Sequence, residues 1–152
     1  MGSKIEKKHY LLLLLLTTSQ FCFSQIYTKQ DFKRVIIPSS CLLISGGFNG
    51  SAEYIKFHYN GDSKFWNNSL SWQNKWKNGD PLQGEKFPFS STALVCLTDG
   101  YHMMRSFSNV FMVTGITVKL GEKRKWYKYV IDGVIFYTTY NIGFNIVYET
   151  LK

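Results

Sequence analysis

Apolar residues in this chain gather into four runs separated by polar stretches. The first, Leu11–Leu16, is a block of leucines close behind Lys4, Lys7 and Lys8. The second, 35–59, reads VIIPSSCLLISGGFNGSAEYIKFHY and predicts a helix, with Ser39 or Ser40 after Pro38 as its N-cap signal. Gly46-Gly47 and Gly50 weaken that helix, each glycine costing about 1 kcal/mol relative to alanine. The third, 91–119, predicts a second helix capped by Ser91 or Thr92. Its Asp99, His102, Ser106 and Asn109 fall at spacings of three and four, on one face. The fourth, 126–150, predicts a third helix on its uninterrupted length and on Asn141, Asn145 and Glu149. It has a rival, because Asp132-Gly133 between β-branched and aromatic residues is a two-residue hairpin signal. The alternative fold is therefore β-rich at the C-terminus.

Between the second and third runs, 60–90 carries Trp66, Trp72 and Trp76 and the turn signals Asn60-Gly61, Asn78-Gly79, Asp80-Pro81 and Phe87-Pro88. It reads as a packed aromatic loop region, since each tryptophan buries on the order of 200 Å². Gln25 to Arg34 reads as a loose polar lead-in. The expected fold is mostly α: one small helical bundle or hairpin over 25–152, possible to embed in a membrane.

Residues 1–24 have the three parts of an export signal: a basic start, the leucine run, and small residues at Cys22 and Ser24. Cleavage after Ser24 would leave Gln25 first. The leucine run is short against about 30 Å of hydrocarbon, which disfavours an uncleaved anchor there. Lipidation of Cys22 is disfavoured by Ser19-Gln20-Phe21 before it.

Two later segments are apolar enough to consider as membrane spans. Tyr129 to Tyr148 holds one formal charge, Asp132. Ala93 to Val118 holds Asp99 and Arg105; each central charge costs about 2.5–3.5 kcal/mol, which a dozen apolar residues at about 0.3–0.6 each nearly offset. Insertion would need those two charges paired or facing protein or water. The turn between the segments carries Lys119, Lys123, Arg124, Lys125 and Lys128 against Glu122, which the positive-inside rule places in the cytoplasm.

Composition narrows the picture further. The chain has 152 residues, 45% hydrophobic, 17% aromatic and 18% charged, which excludes a disordered chain. Three cysteines exclude a disulfide scaffold, and an oxidising compartment would allow one disulfide between Cys41 and Cys96, each set in an apolar run. The formal charge of +8 points toward nucleic acid, but three lysines belong to the signal and five basic residues to one turn. No basic stripe interleaved with exposed aromatics remains, so nucleic acid is not an expected partner. The mean hydropathy of −0.14 is that of a soluble protein, which keeps a soluble exported bundle in play.

Chemistry could come from Glu53, His58, Asp99 and His102. Carboxylates and histidines on two helices suit a divalent metal that activates water, and Asp99 and His102 at a spacing of three share a face. Each also has a structural reading: Asp99 as a helix cap, Glu53 as a partner for Lys56. No nucleophile elbow, phosphate loop, dinucleotide fingerprint or zinc-protease helix occurs, and no cofactor beyond that metal is expected.

A string of blocks then stands out: Glu53 with His58-Tyr59, Phe65-Trp66-Asn67, Ser71-Trp72 with Asn74-Lys75, Phe87 with Ser90-Ser91-Thr92, and Thr98-Asp99-Gly100 with His102. Over Gly46 to Arg105 this resembles a family of small uncharacterised exported proteins of Bacteroidota and their phages. Relatives often have Pro where this chain has Asn68. The resemblance implies a bacterial envelope and no particular activity.

The leading expectation is an exported cell-envelope protein, in the periplasm or a bacterial membrane, structural or accessory to an envelope protein partner. The alternatives are a metal-dependent hydrolase using Glu53, His58, Asp99 and His102, and a secreted β-rich binding module.

Overall fold

The computed structural model describes residues 27–152, so the export-signal reading of 1–24 lies outside the described residues. Three helices carry the fold: α1 (Lys29–Phe57), α2 (Gly100–Thr117) and α3 (Trp126–Leu151). Short 3-10 turns wind residues 58–99 between α1 and α2. Among the described residues there is no strand, only one isolated bridge between Trp76 and Glu85. The chain is mostly helical, and the Asp132-Gly133 hairpin is replaced by the second turn of α3. Length decides there: a hairpin would leave two lone strands, whereas the helix buries Asp132 against a cation.

Two helix starts differ from the expected ones. α1 begins at Lys29, not at 35, because Thr28 and Asp31 form a capping box that makes the polar lead-in its first turns. Ser39 and Ser40 lie inside the helix, flanking Pro38, whose ring removes the amide that would bond Arg34. α2 begins at Gly100, not at 91. Phe89 has a positive φ of 64°, the chain turns through 91–99, and Asp99 rather than Ser91 or Thr92 caps the helix.

α1 is the common partner of α2 and α3. It runs antiparallel to α2, as Ser45 meets Ser108 and Pro38 meets Gly115. It runs parallel to α3, as Asp31 meets Lys128 and Gly50 meets Phe144 and Tyr148. Both contacts are made by small residues. A Cβ on Gly46 would lie 2.0 Å from the Tyr140 carbonyl oxygen, and one on Gly143 2.0 Å from that of Leu43. The α1–α3 crossing is therefore backbone on backbone, with Gly46-x-x-x-Gly50 as its stripe. At the α1–α2 crossing the Ser45 hydroxyl, fully buried, donates to the Ser108 carbonyl at 2.8 Å.

Val35, Leu42 and Ile55 of α1 are buried, but many other large apolar side chains point outward. Ile36, Ile37 and Ile44 on α1, Val110, Val113 and Ile116 on α2, and Val130, Val134 and Ile146 on α3 are all exposed. Between them no Asp, Glu, Lys or Arg occurs in 35–52, 106–118 or 133–148. These stretches are about 27, 20 and 24 Å of helix at ~1.5 Å per residue. Among the described residues, α1 is the one helix long and apolar enough to cross a membrane; α2 and α3, expected as the two spans, fall short of that measure.

Charges collect at the two ends. At one, which we call the basic end, the start of α1 meets the α2–α3 turn. Arg124, its side chain 3% exposed, binds Asp31 at 2.6 Å and Asp132 at 2.5 Å. Lys128 bonds Asp31 at 2.7 Å, Lys119 bonds Glu122 at 2.8 Å, and the Tyr27 hydroxyl donates to Asp132 at 2.5 Å. Burial, reinforced by the Asp132 carboxylate, pushes the Tyr27 hydroxyl well above the usual tyrosine range. At the other end lie residues 58–99, with three of the four tryptophans. Trp66 is packed there, but Trp72 is 53% exposed, against the expectation that all three would be covered.

Cys41 and Cys96 are free thiols. Cys41 abuts Gly115 and Cys96 precedes Gly100, so about 22 Å of α2 separates their levels and the disulfide that an oxidising compartment would allow does not form.

Candidate functional site

Three of the blocks singled out in the sequence, those of Phe65-Trp66, Ser71 and Thr98 to His102, meet around one carboxylate. Asp99 is 1% exposed and caps α2 by accepting from the His102 amide at 2.9 Å. Its second oxygen accepts from the Ser71 and Thr98 hydroxyls, each at 2.9 Å, and His102 Nδ1 lies 2.8 Å away. The local sequence explains the assembly. Gly100 donates its amide to the Phe65 carbonyl at 2.7 Å, and Trp66 lies where a Cβ on Gly100 would be, 2.0 Å from Cε3. Only glycine lets Phe65-Trp66 close over the head of α2.

The rest of the loop is held by the same class of bond. Glu85 accepts from the Ser91 hydroxyl and amide and from the Phe89 amide. Those hydrogen bonds, the Ser91 hydroxyl first, hold the Glu85 carboxyl below the usual carboxylate range. The Ser90 hydroxyl, buried, donates to the Lys75 carbonyl at 2.7 Å, and Asn74 donates to the Lys64 carbonyl at 3.0 Å.

A carboxylate only accepts, so the Asp99 bond requires the hydrogen on His102 Nδ1 and leaves Nε2 as the imidazole's basic nitrogen. Ser71 sits on the Nδ1 side, 3.3 Å from that atom. A Ser-His-Asp nucleophile needs serine at the other nitrogen, so Ser71 is a positioning partner of Asp99 and not a nucleophile.

The four sequence candidates divide. Asp99 and His102 come together. Glu53 faces Arg105 at 3.6 Å, and His58 Nε2 is hydrogen-bonded to the Tyr148 hydroxyl at 2.8 Å. The described residues hold no group of three or more His, Cys, Asp or Glu placed to ligate one metal ion. The charges inside the third run also find partners, though not each other: Asp99 as above, and Arg105 with Asn49 and Glu53.

Sequence reasoning missed two constellations. One is the Asp31–Arg124–Asp132 cluster, whose members are too far apart in the chain to suggest one another. The other is the Gly46, Gly50 and Gly143 crossing, for which Gly46-x-x-x-Gly50 in an apolar run was an available signal. Among the described residues, the fold and these sites define three helices joined by small residues, with many large apolar side chains outside and charges at both ends. The chain matches no family model, no curated protein and no solved structure.

Proposed function

We propose that this chain is a membrane-embedded protein of a bacterial envelope, structural or accessory in role, with residues 58–99 exposed on the exported face. The observation that carries the reading is the distribution of its surfaces: small residues where the helices cross, many large apolar ones outside, charges at the ends. In water, each outward Ile or Val would leave about 1.5–3 kcal/mol of burial unrealised. In hydrocarbon the same faces are matched, and small-residue stripes are how helices pair there.

Outward polar groups fit the same surroundings. The Ser40, Thr114 and Thr139 hydroxyls donate to the carbonyls of Ile36, Val110 and Ile135, at 2.9, 2.8 and 2.7 Å. The Asn141 amide likewise donates to the Tyr137 carbonyl at 2.7 Å. Polar side chains that satisfy themselves on their own helix need no water. α1 acts as the span, and α2 and α3 are carried beside it.

The two topology rules used on the sequence then conflict. Arg124 is bonded to Asp31, so the start of α1 and the α2–α3 turn share one side. A mature N-terminus outside and a basic turn inside cannot both hold for an embedded α1. The basic end gathers Lys29, Lys33 and Arg34 with the five basic residues of the turn, so the positive-inside rule keeps it in the cytoplasm.

Glu53 and His58 are committed to Arg105 and Tyr148, so no observation favours the hydrolase reading. The deciding experiment is carbonate extraction of membranes from cells expressing the full chain. Retention in the pellet is expected; complete release into the supernatant overturns the proposal.

A further inference from the structure

At the basic end a pocket of about 410 Å³ opens between the starts of α1 and α3. Arg34, Lys123, Arg124, Lys125 and Lys128 line it, with Asp31 the acid among them. We propose that this pocket binds a phosphate-bearing anion.

Charge accounting comes first. Asp31 is saturated by the Thr28 amide and hydroxyl, Lys128 and Arg124. Asp132 is taken by Arg124, Lys119 and Tyr27, and Glu122 by Lys119. Among the described residues, Arg34, Lys123 and Lys125 then face the pocket with no carboxylate partner, and all three side chains are exposed. Three uncompensated cations around one concavity repel one another until an anion enters.

Two features independent of that charge point the same way. Arg124 Nε is buried and has no hydrogen-bond partner, although both terminal nitrogens of the same side chain are paired with carboxylates. The first turn of α3 is also uncapped: Lys125 stands at its N-cap and makes no side-chain bond to it. The neighbouring start of α1, by contrast, is closed by its Thr28–Asp31 capping box. An uncapped helix start presents backbone amides and the positive end of the helix dipole, the usual cradle for a phosphate. Tyr127, which lines the pocket, and its neighbour Trp126, 76% exposed, open α3 with side chains suited to a membrane–water boundary.

The chemistry recognised is a phosphate mono- or diester. Its source rests on the membrane reading above: with α1 embedded, the pocket lies at headgroup level and the anion is that of a phospholipid. Without it, free phosphate would be the occupant.

The test is thermal unfolding of the full chain in neutral detergent, followed by tryptophan fluorescence. Added components are phosphatidylglycerol, phosphatidylcholine, or millimolar inorganic phosphate against chloride at matched ionic strength. Phosphatidylglycerol is expected to raise the midpoint by several degrees and phosphatidylcholine to leave it unchanged. The triple variant R34Q/K123Q/K125Q, altered only at exposed positions, is expected to keep the unliganded midpoint and lose the shift. A shift from inorganic phosphate that phosphatidylglycerol cannot exceed retains the anion pocket and removes the lipid as its source. Failure of the membrane reading shows separately, as release by carbonate from a protein that still responds to phosphate. The proposal is overturned if neither phosphate-bearing component shifts the midpoint, or if the triple variant responds as the parent does.

Discussion

Arg124 and Asp31, 93 positions apart, are joined by a hydrogen bond of 2.6 Å between Nη2 and Oδ1, with both side chains almost fully buried. This bond ties the first turn of α1 to the turn before α3. Removing one partner of a buried pair strands the other, so Arg124→Ala should cost about 3–5 kcal/mol. Lys33→Ala, exposed and unpaired among the described residues, should stay within about 0.5 kcal/mol of the parent. Denaturant unfolding of both variants in detergent checks the pair; equal stabilities would remove the lock.

The glycine crossing makes a prediction of opposite sign at two sites on one helix. Gly143→Ala drives a methyl into the Leu43 carbonyl and should destabilise by about 1–3 kcal/mol or more. Gly133→Ala meets nothing within 4 Å and should stabilise α3 by up to about 1 kcal/mol. Thermal midpoints for the two variants should move apart, and a shared direction would mean that packing is not what selects Gly143.

Asp99 should matter more than His102. Asp99→Ala removes a helix cap, worth about 0.5–2 kcal/mol, and also takes the carboxylate partner from Ser71 and His102, while Thr98 keeps its bond to the Val95 carbonyl. His102→Ala keeps the cap, because the backbone amide is what Asp99 accepts from. Nitrogen shifts of His102 should report Nδ1 protonated in the parent, with tautomer preference lost in Asp99→Asn. An Nε2-protonated ring in the parent would contradict the assigned bond.

The loop should loosen in acid. Hydrogen bonds to Glu85 hold its carboxyl below the ordinary range, so its stabilising effect is complete above the unfolded carboxylate value. That effect disappears as pH falls through the lowered, folded value. Exchange protection of the Phe89 and Ser91 amides, corrected for intrinsic rates, should therefore fall at low pH and persist near neutrality. Glu85→Gln should flatten the response.

Sidedness follows from the shared basic end. In a Cys22→Ser, Cys41→Ser background, Cys96 should react in spheroplasts with a membrane-impermeant maleimide, since it precedes α2 at the end proposed to be exported. A cysteine placed at Lys123 should react only after lysis. The reverse pattern, together with a chain shortened by residues 1–24, would put the basic end outside.

Much of the fold could be read from residue order, for reasons that also explain the misses. α3 is a long stretch with few charges and no proline, and its length outweighed the Asp132-Gly133 turn signal. Thr28 and Asp31 are a capping pair, but the charged residues around them resemble a linker. Gly46 and Gly50 lower helix propensity locally, and propensity cannot show that another backbone lies against them. Asp99 was legible as a cap, whereas its bond to Ser71 spans 28 positions and depends on how 60–90 winds. Long-range pairs such as Asp31 with Arg124 leave no local trace at all.

The parallel crossing of α1 and α3 also has a consequence in time. α1 and α2 are synthesised with only the loop between them, so the Ser45–Ser108 contact is available while the ribosome is still at work. The glycine stripe of α1 has no counterpart until Tyr140, Phe144 and Tyr148 have been made, and the Leu43 carbonyl none until Gly143. Until then the backbone of α1 lacks the surface it packs against. The stripe that later brings backbone against backbone is, during biogenesis, a long-lived vacancy, and the second half of α3 is what ends that wait.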